Sequence, residues 1–515
     1  MNKLSTISIL LLMLFSCRTE DTKERWPFGV NYEVFVLSFA DGNGDGNGDL
    51  RGLTSKLDYL KDLGVGGLWL MPIMPSPSYH KYDVIDYKGI DPTYGTMEDF
   101  KLFVEEAHKR GIQVIIDMIL NHTGSDHPWF KEAIKGKNNP YRNYYVWADK
   151  DSVANVISKK ATSLDSDNIT QWHAVNGDTQ GEHYYGYFYG GMPDLNFDNP
   201  KVKEEFVEIG KFWLSEMNVD GFRLDAAKHI FPTDRAADNH AFWVWFRTEM
   251  ERIKPDVYMV GEVWSKAEEV APYLKGLPAL FNFDMGYAIT SVVKTGKDTV
   301  DLVKKYKAIS DYYSSFTSDY VDATFLKNHD QNRILSELND DENKLRLAVA
   351  ILFTLPGTPY VYYGEEIGMK GMKPDEFIRE PFLWDEAGKD LAQTTWEIPK
   401  YSTDKMVVPL SIQRNNPKSL FNFYKKWIGY RNSTEILTLG DLAATPFQLP
   451  EVVSLIRTFG SQKRLVLHNV SDAEVIVPLQ DLEEFQTIDI SSHDGINISG
   501  NVIKLPASSS VVLKN

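Results

Sequence analysis

At 515 residues the chain is longer than one hydrophobic core usually supports, so a large domain of about 400 residues with a smaller companion is expected. A formal charge of −17 and the lack of any Lys/Arg run exclude a nucleic-acid binder, because neutralising phosphates needs a basic surface. Aromatic residues make up 13% of the chain, a high share; most are expected in the core, while tyrosine and tryptophan also offer an apolar face with a polar tip.

Residues 4–16, LSTISILLLMLFS, form an apolar run behind Lys3 that is too short for a bilayer and is shaped like a secretory signal. The only cysteine, Cys17, follows at once. Leu14-Phe15-Ser16-Cys17 resembles a bacterial lipoprotein processing site, so 1–16 is expected to be removed, Cys17 to be lipidated and 17–26 to act as a tether. A plain signal peptide with an incidental thiol is the alternative. As an anchor, Cys17 leaves no disulfide, and stability then rests on burial and on any bound metal. The expected location is the outer membrane or cell surface of a bacterium, with the lipid as the only membrane contact.

Eight short, continuously apolar runs follow, rich in β-branched and aromatic residues as buried parallel strands require: 30–39, 65–72, 112–120, 219–226, 257–263, 279–284, 323–329 and 358–364. Amphipathic helices lie between them. The clearest spans 97–110, with Thr96 as N-cap, Asp99 three residues on, Gly111 as a stop, and Phe100, Phe103, Val104 and Ala107 as its buried stripe. A last helix near 418–431 carries Leu420, Tyr424, Trp427 and Ile428 at the same spacing. Eight strands alternating with helices predict an α/β fold, a (β/α)8 TIM barrel over 27–432. One connection, 122–200, is too long for a barrel loop and predicts an inserted B subdomain after the third strand. From 433 to 515 the pattern changes to short alternating runs at 452–459, 464–470 and 475–479, which predict a C-terminal antiparallel β-sandwich domain.

Within GFRLDAAKH (221–229), Arg223 and Asp225 stand two residues apart at a strand end, so their side chains point the same way. Glu262 follows VYMVG (257–261) and Asp330 follows ATFLKNH (323–329). The C-terminal ends of barrel strands are where such folds carry catalytic groups, and three carboxylates there point to cleavage of sugars. Retaining glycoside hydrolysis needs one carboxylate as nucleophile and a second, held protonated, as acid and then base. Arg223 favours an ionised Asp225 by proximity, whereas Glu262, between Val263 and an apolar strand, is raised by desolvation. Asp225 is therefore the expected nucleophile and Glu262 the acid/base. Asp330 is left to bind sugar hydroxyls and to stabilise the positive charge of the transition state.

The set DMILNH (117–122), MPDLN (192–196), GFRLDAAKH (221–229), GEVW (261–264) and FLKNHD (325–330) resembles the α-amylase family of glycoside hydrolases, of family 13 type. The nearest likeness is to lipoprotein surface amylases of bacterial starch-utilisation systems. That resemblance implies the same three carboxylate roles, with His122 and His329 as hydrogen-bonding partners of the sugar, Arg223 as orienting partner of the nucleophile, and Tyr82 of SYHKYD (78–83) as a stacking platform. Lys228 and His229 resemble the pair lining the leaving-group side in members that cut α-1,4 links. Tyr79 stands where exo-acting glucosidases of the family carry an aspartate. Both favour an endo-acting amylase on starch or maltooligosaccharides. YYGEEIG (362–368) and REPFLW (379–384) are closer to the oligo-α-glucosidase branch, which makes Arg379 a candidate cleft residue. A transglycosylase or isomerase shares every residue named, and a starch-binding surface protein without turnover is the non-enzymatic alternative. The surface-amylase likeness also implies association with a glycan-uptake complex.

The loop DGNGDGNGD (41–49) places oxygen side chains at Asp41, Asn43, Asp45 and Asp49 with the Asn47 carbonyl between them, the alternation of an EF-hand calcium loop. Position twelve is Gly52 where that loop carries a bidentate glutamate, and the segment follows a strand. It resembles the calcium loop after the first barrel strand of oligo-glucosidases and surface starch amylases, so calcium is the expected cofactor; a plain glycine turn is the alternative. A second family calcium site is implied at Asn121, Asp194 and the carbonyl of His229. The tyrosine cluster HYYGYFYGG (183–191), with Trp129 and Trp147, is expected to form subdomain core, with one or two rings left for sugar stacking.

Overall fold

The computed structural model describes residues 29–156, 170–386 and 389–515; the predicted signal, Cys17 and the tether lie outside the described residues. Eight parallel strands close into one barrel in chain order: Val30–Val34, Val65–Leu70, Gln113–Met118, Gly221–Leu224, Tyr258–Gly261, Ala279–Phe281, Val321–Phe325 and Thr358–Tyr362. The eighth pairs back onto the first through Asn31 opposite Tyr360. Continuous apolarity follows from burial on both faces, since successive side chains of a strand point to opposite sides. Trp69, Ile115, Val260, Phe281, Phe325 and Tyr360 fill the barrel interior as one cluster, while Leu68, Leu70, Val114 and Ile116 pack outward under the helices.

The first strand is shorter than its apolar run predicts. It stops at Val34, and Val36–Phe39 form a helical turn. All of these residues are buried, and an apolar run that is buried throughout does not distinguish strand from helix. The helix predicted at 97–110 forms over Met97–Lys109 with a full capping box: Asp99 N donates to Thr96 Oγ1 at 3.2 Å and Thr96 N to Asp99 Oδ2 at 3.0 Å. Its buried residues are Phe100, Phe103, Val104 and Ala107. The last barrel helix, Leu420–Asn432, is capped by Ser419.

Between the third and fourth strands the chain builds a helix, Pro128–Ala133, and a small antiparallel sheet in which His183–Tyr185 lies between Trp147–Ala148 and Trp172–Ala174. A bridge from His122 to Asp194 ties this insertion to the third strand's exit, and one from Tyr145 to Leu195 closes it on itself. After the barrel, a five-stranded antiparallel sheet faces a three-stranded one. Leu465, Leu467, Val511 and Leu513 point to the small sheet's Val477, Ile503 and Leu505, whereas Val453, Leu455, Val466 and Val512 join the barrel core. The large sheet is thus buried on both faces, a layer between barrel and small sheet. Among the described residues no helix is long and apolar enough to cross a membrane.

Candidate active site

Asp117 and Arg223 are cross-strand partners in the third and fourth strands, so both point into the barrel mouth. Arg223 is fully buried. Its Nη1 donates to both oxygens of Asp117 at 2.9 Å and to Asp225 Oδ1 at 2.6 Å, and its Nη2 lies 2.6 Å from Glu262 Oε2. One guanidinium thereby holds three carboxylates from three successive strands. Burial works against its charge, but Asp117 and Glu262 outweigh burial and raise its pKa well above the ordinary value. Directly after Asp225 the chain turns through Ala226 in the left-handed region, φ 47° and ψ 40°, a strained conformation of the kind that clusters at functional sites.

Glu262 directly follows the fifth strand and is buried beside Arg223, and its Oε1 has no hydrogen-bond partner among the described residues. Burial pushes its pKa up to about 8; Arg223 opposes this, and the charges of Asp225 and Asp330 add to it. A carboxyl so placed is protonated at neutral pH and able to donate. Asp330 is the opposite case. Burial alone would raise its pKa, yet His329 at 3.2 Å and Arg379, whose Nη2 donates to Oδ1 at 2.9 Å, hold it well below the usual carboxylate range. His329 is in turn held by Glu33, Nδ1 to Oε1 at 2.5 Å; burial disfavours its charge, but Asp330 and Glu33 carry its pKa up to about 10.

The residues predicted from sequence to flank these carboxylates take distinct places. Tyr82 stacks on His329, centroids 5.5 Å apart and 10° from parallel, with its hydroxyl 2.6 Å from His329 Nε2 and donating to Asp117 at 3.1 Å. His122 is buried, with Nδ1 2.9 Å from Asn121 Oδ1 and Nε2 3.3 Å from the Tyr82 carbonyl; burial lowers its pKa. Lys228 Nζ donates to the Trp264 carbonyl at 3.0 Å and to Ser265 Oγ at 3.1 Å, so it braces the segment that follows Glu262. The His229 ring lies on Tyr187 at 3.8 Å. Arg379 is only 2% exposed: it spans Asp330, Tyr79 and the His329 carbonyl, and so acts inside the site rather than as an exposed structural arginine. Of the aromatic insertion, Tyr184 and Tyr187 are core as expected, and Tyr189 is exposed.

Two members of the cluster, Asp117 and Glu33, receive no role from the sequence, although Asp117 opens the DMILNH motif. Both sit inside strands of otherwise apolar composition, and that isolation is itself a signal, because a charge in a buried strand must be paired.

The 41–49 loop closes on itself through its own side chains. Asp41 accepts from the amides of Asn43, Gly44 and Gly46, Asn43 from that of Asp45, and Asp45 from that of Asn47. Asp49 caps the next helix through Gly52 N at 2.7 Å. Its pKa is raised by burial and further by the charge of Asp41, so a cation would relieve a real repulsion there. Among the described residues, however, no three His, Cys, Asp or Glu side chains converge as a metal cluster. At the other implied calcium site, Asn121 Nδ2 donates to the His229 carbonyl at 2.5 Å and to Asp194 at 3.3 Å.

Comparison with known proteins agrees with this geometry. A family model described as "Alpha amylase, catalytic domain" matches residues 33–440. The chain belongs to the α-amylase family. A second model, "Alpha-amylase SusG C-terminal domain", matches 452–512. The enzyme is 42% identical over 475 residues to Alpha-amylase 3 of Dictyoglomus thermophilum, covering 92% of this chain and 91% of the relative. It is 35% identical over 464 residues to a 4-alpha-glucanotransferase of Thermotoga maritima, covering 89% and 99%. The crystal structure of alpha-amylase from H.orenii superposes with a TM-score of 0.86 at 43% identity, covering 95% of this chain and 99% of that one. The chain is therefore a glycoside hydrolase of a family whose members act on α-glucans by hydrolysis or by transfer.

Proposed function

We propose that the enzyme is a retaining, endo-acting hydrolase of α-1,4 links in starch and maltooligosaccharides. The observation that carries this reading is the single guanidinium shared by Asp225 and Glu262. Sharing it keeps the carboxylates close, which favours the separation of about 5–5.5 Å used by retaining enzymes over the roughly 6.5–9.5 Å of inverting ones. Asp225 attacks the anomeric carbon while Glu262 gives its proton to the departing glycosidic oxygen. Glu262 then takes a proton from the water that opens the glycosyl ester on Asp225. Asp330, kept anionic by His329 and Arg379, faces the positive charge that develops on the ring, and Tyr82 supports that ring.

The α-1,4 and endo readings are supported by Lys228, braced beside the acid's strand end on the leaving-group side, and by Tyr79, which stands where exo-acting glucosidases of the family carry an aspartate. Asp225→Asn is expected to abolish release of reducing sugar while calorimetry still registers maltooligosaccharide binding; equal turnover in variant and wild type would remove Asp225 as nucleophile. A product profile on amylose separates internal cuts from glucose release and from transfer to longer chains.

Calcium fits the 41–49 loop by the chemistry of its donors, five oxygens from Asp41, Asn43, Asp45, Asn47 and Asp49 in one turn. When bound, the ion would supply a structural clamp and take no part in the chemistry. A chelator should therefore lower the melting temperature of wild type, and Asp45→Ala should remove that sensitivity. An identical melting curve with and without chelator would count against the loop.

A further inference from the structure

An aromatic pair beside the carboxylates has no part in the bond-breaking steps. Tyr79 and Trp396 stack with centroids 5.3 Å apart and planes 21° from parallel, both half-buried. The buried Phe35 turns its edge to each of them, at 6.3 Å and 5.8 Å. Arg379 Nη1 donates to the Tyr79 hydroxyl at 3.2 Å, and Nη2 of the same guanidinium holds Asp330. The pair is thus one side chain away from the catalytic carboxylates. A run of rings joins it to the cleavage position: Tyr79 to His80 at 5.4 Å, His80 to Tyr82 at 6.0 Å, and Tyr82 to His329 at 5.5 Å.

The acid gives the site a direction. Glu262 must face the oxygen that departs, so Trp264 and Lys228, which follow or brace it, stand on the leaving-group side. Tyr79 and Trp396 are linked instead to Asp330 through Arg379, with no contact to Trp264 or Lys228 among those described. We infer that Tyr79 and Trp396 form a donor-side platform for the glucose ring next beyond the one being cleaved, and so set the length of the released product. This rests on the α-glucan hydrolase reading above. A pyranose ring offers a flat C–H face to an aromatic surface, while the tyrosine hydroxyl, held by Arg379, can meet one of its hydroxyl groups. A platform of that kind favours a chain that continues past the cleaved ring over one that ends there.

The platform is positioned by the 41–49 loop. Asp41 N donates to the Ala392 carbonyl at 2.9 Å and Thr395 N to the Gly46 carbonyl at 2.7 Å, while Trp396 Nε1 donates to Ser38 Oγ at 2.7 Å. Gly46 has φ 91°, and a Cβ there would lie 2.5 Å from Thr395 Oγ1, so the loop touches the residue before Trp396 with no room between.

The test is the frequency with which each bond of reducing-end-labelled maltohexaose is cut. Weakening a donor subsite populates registers with fewer rings on that side. Trp396→Ala and Tyr79→Ala should therefore move the main cut toward the non-reducing end, changing the ratio of neighbouring cuts on the order of tenfold. Trp396→Phe, which keeps a ring, should stay near the wild-type pattern, and Gly46→Ala should shift it in the same sense as Trp396→Ala. Should Trp396→Ala fail to fold, Trp396→Leu, which preserves apolar contact without a flat face, decides the matter. Wild-type cleavage frequencies in the folded variants lacking the ring would overturn the platform. Absence of any maltohexaose cleavage by wild type would instead overturn the hydrolase reading.

Discussion

Arg223 at the mouth of the barrel, and Arg431 and Arg457 at its junction with the C-terminal sheets, are all fully buried, and the two regions satisfy them in opposite ways. Arg223 sits among carboxylates. Arg431 Nη1 donates to the carbonyls of Phe353 and Leu355 at 2.6 and 2.8 Å, and Arg457 donates to those of Thr354 and Gly440 at 2.8 and 2.7 Å. These two cap the C-terminal end of helix Glu342–Thr354, where unpaired carbonyls and the helix dipole favour a cation. Burial pushes Arg431 down to about 9, with the like charge of Arg457 adding to the shift, and pushes Arg457 down to about 10. Arg223 moves up under the same burial because acids surround it. Full charges make a cluster whose protons can be set and moved; carbonyl dipoles make a joint that only holds.

The strongest way to break that contrast is Arg223→Leu. It leaves Asp117 and Asp225 facing each other beside Glu262 without the guanidinium that joins them, and should cost about 3–5 kcal/mol of stability and at least about 10³ in kcat/KM. Retention of a tenth of the wild-type rate would show that the guanidinium does not organise the site. Arg457→Met should be milder and of another kind. It removes the donor from three carbonyls and should lower the unfolding free energy in urea by about 2–3 kcal/mol, while kcat/KM per folded molecule stays within about twofold; a large loss of rate would erase the distinction between the two regions.

The smallest effect is a change in pH profile. Glu262 must be protonated to act as acid, and its pKa is raised to about 8. The active form is therefore present below that value and lost as pH rises through it, with kcat/KM falling about tenfold per further unit. The sign for stability is the same: ionising this carboxyl is harder in the folded state than in the unfolded one, so its contribution turns unfavourable as pH climbs above its unfolded value, about 4.3. Arg457→Met should leave this limb in place, and Glu262→Gln should remove it.

Much of this architecture is legible in the amino-acid sequence. The eight apolar runs mark eight real strands, because a parallel barrel buries both faces of each and leaves a local trace in composition. Asp225, Glu262 and Asp330 stand out because each ends such a run. Glu33 and Asp117 are hidden by the same logic: they lie within runs, and their partners are distant in sequence, His329 in the turn after the seventh strand and Arg223 on the fourth. Arg379 is visible only by likeness, since its hold on Asp330 depends on a turn beyond the eighth strand. The strands of the insertion, two or three residues each, are too short to show a period.

The pairing of Glu33 with His329 joins residues 296 positions apart, across the seam where the eighth strand closes onto the first. Contacts of such separation carry the greatest loop-closure entropy and belong to the slow part of folding. In the closed barrel Asp330 stays ionised in spite of its burial through His329, held at that seam, and Arg379 just past it. Until the seam closes, Asp330 is an ordinary solvated carboxylate with nothing to fix it opposite Asp225 and Glu262. Competence to cut glucan thus arrives with the last turn of the barrel, and the cell that makes this enzyme handles an inert polypeptide until the ring is shut.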